Sequence, residues 1–117
     1  ISIDDPQLSF GLGFDHNWVL NKSDENTINL AATVYSPKTA KFINVYTDQP
    51  GIQFYTGNFL DGSIKGKNGT FYNHRNAFCL ETQHFPNSPN QNNFPTTELR
   101  PGEQYKTTTI FEFGIKK

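Results

Sequence analysis

A chain of 117 residues with 34% hydrophobic and 15% aromatic content is long enough for one soluble domain whose core is filled mostly by Phe and Tyr. Its net charge of −1, with both signs interspersed, offers no basic stripe to neutralise phosphates, so no nucleic-acid partner is expected. No apolar run approaches the roughly 18 to 20 residues that span a bilayer, and the opening ISIDDPQLSF has no signal-peptide pattern, so no membrane partner is expected either.

Taken in chain order, the hydrophobic pattern repeats close to every two residues and almost never near 3.6, which predicts strands throughout. A short WVL at 18–20 is the first. In TINLAATVYS, Ile28, Leu30, Ala32 and Val34 alternate with Asn29, Ala31, Thr33 and Tyr35, as a half-buried strand requires. The turn SPKTA follows, and KFINVYTD resumes with Phe42, Asn44 and Tyr46 opposite Ile43, Val45 and Thr47. So short a polar connection predicts a β-hairpin. GIQFYTG and AFCLETQ are further strands, separated by the Gly- and Asn-rich DGSIKGKNGT. Residues 84–104 form the longest predicted loop, and Pro86, Pro89, Pro95 and Pro101 point to one fixed shape for it. In YKTTTIFEFGI, Tyr105, Thr107, Thr109, Phe111 and Phe113 share one face, with Lys106, Thr108, Ile110, Glu112 and Gly114 on the other. The expected architecture is antiparallel β, forming one domain or part of one. A start at Ile1 and the lack of any methionine make a segment of a longer protein the expectation. The single cysteine, Cys79, cannot form an internal disulfide, which fits a reducing compartment, with the cytoplasm as default.

One carboxylate stands out. FCLETQHFP places Glu81 in a run that otherwise reads as buried strand, and removing an ionised carboxylate from water costs on the order of several kcal/mol unless it is paired. Two readings follow from the residues alone: a strand-end carboxylate hydrogen-bonded to a loop, or a general base held partly buried. The spacing Glu81-x-x-His84 spells a metal motif, yet it converges only on a helix, and no metal or cofactor is expected. Asp15 and His16 diverge as strand neighbours, and a polar pair is the commoner arrangement than an acid-base couple. Cys79, between Phe78 and Leu80, reads as a small core residue, and the isolated glycines do not make a phosphate-cradling loop.

Longer strings carry more. GFDHNWVL, VYTDQPGIQFYTGNFLDGSIKGK, FCLETQHFPNSPNQNNFP and LRPGEQY stand here in the order they have in the galactose mutarotase (aldose 1-epimerase) family, and residues 11–117 resemble its last third. The resemblance implies an antiparallel β-sandwich of the galactose mutarotase-like type, with residues 1–117 as the C-terminal part of a single domain. It implies an isomerase that interconverts the α and β anomers of hexoses such as galactose and glucose. Glu81 of CLETQ matches the family's general base, Asp15 of GFDHN a sugar-binding aspartate, and Gln53 of QPGIQF a glutamine close to the sugar. Partial desolvation by Phe78, Phe85 and Trp18 would raise the base toward the working pH, and Phe14, Trp18, Phe54 and Phe85 are candidates to pack on sugar C–H faces. The family's general-acid histidine, in an N-H-x-Y-[FW]-N motif, and a second histidine near H-G-G have no counterpart here; His16, His74 and His84 do not match them. The expected partners are therefore a monosaccharide and the missing N-terminal part of the protein, in the same chain or a separate one, without which the segment is expected to be inactive. The alternative is a non-catalytic carbohydrate-binding or regulatory member of the same fold.

Overall fold

A computed structural model describes residues 5–22, 24 and 27–116. Its strands are β1 (Asp15–Val19), β2 (Asn29–Tyr35), β3 (Lys41–Thr47), β4 (Gly51–Tyr55), β5 (Cys79–Gln83) and β6 (Thr109–Ile115). They form two three-stranded sheets, ordered β1-β4-β5 and β2-β3-β6. The chain is thus all-β, as its period of two requires. By residue contacts it divides into two compact units, Ile1–Trp18 with Gln53–Glu81, and Val19–Ile52 with Thr82–Lys117.

One helix departs from the expectation of strands alone. α1 (Pro6–Phe10) starts at a proline whose fixed φ suits the first helical position, and Asp5 caps it, with Oδ1 accepting from the Gln7 amide at 2.8 Å. Five residues are too few to display a 3.6-residue period.

The β2–β3 hairpin closes at the Tyr35–Phe42 pair, with the Ser36 amide donating to the Lys41 carbonyl at 2.9 Å. Its register corrects one sequence reading. Ala32 faces Val45 but Leu30 faces Tyr46, because a bulge between Leu30 and Ala32 inserts one residue and reverses the alternation. Leu30 therefore leaves the face of Ala32 and Val34, and it is 56% exposed. β6 pairs with β3 without interruption from Lys41–Ile115 to Thr47–Thr109, and its two faces are those expected.

On one face of this sheet a polar ladder crosses all three strands. The Thr33 hydroxyl donates to Asn44 Oδ1 at 2.8 Å, and Asn44 Nδ2 and the Tyr46 hydroxyl both donate to Glu112 Oε2, at 2.9 and 3.0 Å. These bonds hold the Glu112 carboxyl below its ordinary range. Gly114 lies under the Phe42 ring, where a Cβ would come within 2.5 Å of ring carbons, so a larger residue there would require that ring to move.

The opposite face is covered at β3 and open along β6. Val45 is wholly buried, but Phe111, Phe113 and Ile115 on the same face of β6 are exposed, Phe113 by 71%. Among the described residues Val45 and Ile52 are the buried hydrophobic side chains.

Within residues 84–104 local contacts order the first half of the segment. The Phe85 ring meets Phe94 edge-on at 5.2 Å, and the Ser88 hydroxyl donates to the Phe85 carbonyl at 2.6 Å. Asn87, in the left-handed region at φ 64°, begins the 3-10 turn Ser88–Asn90.

Candidate active site

In the sheet β1-β4-β5 the middle strand is β4, and the three residues singled out in the sequence come one from each strand. Gln53 Nε2 donates to Asp15 Oδ1 at 2.8 Å, so these side chains share a face across the β1–β4 pair. Cys79 and Glu81, two residues apart in β5, project to a common side. The Cys79 thiol is pushed up by burial first, and then by the negative charges of both Glu81 and Asp15. The thiol thus lies near enough to both carboxylates to feel their charge, while the hydrogen bond that joins site residues directly is the one between Asp15 and Gln53. This shift disfavours the thiolate, which fits the small-residue reading of Cys79.

Two expectations about this face are corrected. Glu81 is exposed, as is Asp15, while Gln53 is half-buried. The partial burial expected for Glu81 is not seen in this chain. Phe78 is exposed, Trp18 is 53% exposed, and the Phe85 ring is engaged with Phe94. The cause is positional: β5 is an edge strand of a three-stranded sheet whose polar face is open. The aromatic platform is also placed otherwise. Phe54 directly follows Gln53 in β4, so it points to the reverse side, and the Phe14 ring, just before β1, packs against it. There the two rings meet at 5.4 Å, Phe54 meets Phe78 at 6.3 Å, and Phe14 meets His16 at 6.3 Å. A cavity of about 430 Å³ lined by Leu8, Phe14, His16 and Trp18 contains none of Asp15, Gln53 and Glu81.

Asp15 is presented by a turn that a buried asparagine holds. Asn58, 7% exposed, donates from Nδ2 to the carbonyls of Gly11 at 2.8 Å and Phe14 at 2.9 Å, while its Oδ1 accepts the Thr56 hydroxyl at 2.7 Å. The Thr56 amide adds a bond to the Phe14 carbonyl at 3.0 Å, and Arg75 Nη2 reaches the Leu12 carbonyl at 3.1 Å. Gly13, at φ 143°, passes so close that a Cβ would lie 2.3 Å from Asn58 Oδ1. Sequence reasoning missed Asn58 and Thr56. Their one signal was a polar pair, T-G-N, directly after an apolar strand, which reads equally well as an ordinary loop.

His84 lies in the other unit and lines a cavity of about 450 Å³ with Lys22, Asp48, Gln49 and Tyr105. Among the described residues no group of three His, Cys, Asp or Glu could hold a metal ion, and no helix is long and apolar enough to cross a membrane.

Comparison with known proteins gives this geometry a context. The family model for aldose 1-epimerase matches residues 3–112. Galactose mutarotase of Homo sapiens is 52% identical over 103 residues, covering 88% of this chain and 30% of that protein. Aldose 1-epimerase of Escherichia coli K12 is 35% identical, covering 86% of the chain and 29% of its own length. The crystal structure of a GalM/aldose epimerase homologue from C. elegans superposes with a TM-score of 0.78 at 29% identity, over 89% of this chain and 30% of that one. An all-β chain with this match along almost its whole length belongs to the aldose 1-epimerase family. It spans about 30% of the length of these relatives.

Proposed function

We propose that this chain supplies the general base and part of the sugar pocket of an aldose 1-epimerase that interconverts the α and β anomers of hexoses such as galactose and glucose. The observation that supports the reading is the Asp15–Gln53 hydrogen bond in the sheet whose strand β5 carries Glu81. Glu81 takes the proton from the C1 hydroxyl while an acid protonates the ring oxygen, and the C1–O5 bond breaks to give the open-chain aldehyde. Rotation about C1–C2 and reclosure, with the two protons returned, give the other anomer. Asp15 accepts from sugar hydroxyls, and the Gln53 amide, donating to Oδ1, fixes the direction of that carboxylate.

The acid is assigned to the N-terminal part of the protein, joined to this chain or present as a separate one, because no histidine here stands in the family's acid motif. The same part would cover the open face and desolvate Glu81. The cytoplasm is the proposed location, from the single cysteine.

Asp15→Ala in the intact protein tests the pocket. Loss of the acceptor leaves a sugar hydroxyl unpaired, at roughly 1 to 3 kcal/mol, so calorimetric titration with galactose should show affinity weakened about 5- to 150-fold. Unchanged affinity would remove Asp15 from the site.

A further inference from the structure

We infer that His16 is a positioning residue that fixes the backbone of Asp15, and through it the direction of the sugar-binding carboxylate; this rests on the assignment of Asp15 to the sugar. β1 is an edge strand, and Asp15 is its first residue. The Thr56 amide donates to the Phe14 carbonyl, so the polar groups of Phe14 turn toward the neighbouring chain segment. Those of Asp15, one residue on, turn outward, where among the described residues no strand pairs with them. The His16 ring fills that place: Nδ1 accepts the Asp15 amide at 3.0 Å.

The other ring nitrogen secures the arrangement. Nε2 lies 3.1 Å from the Gln7 carbonyl oxygen in α1, which can only accept. One form of the ring serves both contacts, the neutral tautomer with its proton on Nε2 and a lone pair on Nδ1. The edge of the Phe14 ring against the imidazole, at 6.3 Å and 75°, limits its rotation. α1 is itself anchored, through the Asp5 cap on Gln7 and the Gly13 amide donating to the Leu8 carbonyl at 2.9 Å. His16 thus ties the helix to the strand at the residue proposed to hold the sugar, without touching the sugar.

The test separates the two nitrogens. In the intact protein, His16→Asn keeps an amide oxygen near the place of Nδ1, whereas His16→Gln keeps a donor near the place of Nε2 and loses the contact to Asp15. His16→Gln should raise KM for galactose, and Kd by calorimetry, roughly 3- to 10-fold with kcat changed less than about twofold. His16→Asn should recover most of that loss. Equal effects of the two variants on KM, or a loss confined to kcat, would overturn the inference. Asp15→Ala is measured alongside: if it weakens galactose binding while both His16 variants bind like the wild type, positioning fails and the sugar site stands. If Asp15→Ala has no effect, both fall. ¹⁵N NMR of the wild-type imidazole covers the case in which a variant does not fold; a proton on Nδ1 would contradict the inference by itself.

Discussion

Glu81→Gln in the intact protein is expected to slow mutarotation of galactose by roughly 10²- to 10⁴-fold, the range for loss of a general base, while galactose still binds. The substitution keeps the shape of the side chain and a hydrogen-bonding group at the same point of β5, so neither the strand nor the Asp15–Gln53 bond is disturbed. What it removes is the ability to accept the C1 hydroxyl proton. Polarimetry gives the rate and calorimetry the affinity; near-normal turnover would remove Glu81 as the base. A parallel loss of affinity and turnover would instead mean that Glu81 holds the sugar.

The second large effect is expected at Gly13, far from any proton transfer. Gly13→Ala places a Cβ 2.3 Å from Asn58 Oδ1, at a φ of 143° that side chains rarely adopt. Asn58 cannot step aside without giving up its bonds to Gly11, Phe14 and Thr56 in a buried place. Backbone strain and the lost hydrogen bonds together should destabilise the protein by roughly 2 to 5 kcal/mol. A urea titration should show the midpoint falling with the slope unchanged. Galactose affinity should fall with it, since the turn from Gly11 to Phe14 delivers Asp15 to the face it shares with Gln53. An unchanged midpoint would show that the turn can open without cost.

Much of the fold was legible because alternation is a local property. The faces of β6 and the β2–β3 hairpin follow from counting by two, and β6 pairs along its whole length without a slip. Leu30 was misplaced because a bulge adds a residue without interrupting the written pattern of apolar and polar letters. α1 escaped because one capped turn has no period to read. The candidate site residues came from another source: Asp15, Gln53 and Glu81 were picked out by long family strings, and no rule of spacing would have gathered them from β1, β4 and β5. Their surroundings were not legible. Whether Glu81 is desolvated depends on what lies over the face of β5, and nothing in CLETQ encodes that. Phe14 and Phe54 were assigned to the sugar by residue type, whereas alternation in β4 sends Phe54 to the side opposite Gln53, where its ring meets that of Phe14. Asn58 shows the same gap, since its importance arises from burial and from carbonyls 44 and 47 residues away in sequence.

Polarimetric mutarotation of galactose by residues 1–117 alone, and again with the N-terminal part of the protein added in trans, bears on the division of the catalytic groups. No acceleration is expected from the chain by itself, because a base without an acid cannot complete ring opening efficiently. Acceleration that depends on Glu81 is expected once both parts are present. Rapid, Glu81-dependent mutarotation by the isolated monomeric chain would contradict this, and would place the acid within the chain, at His16 or His84.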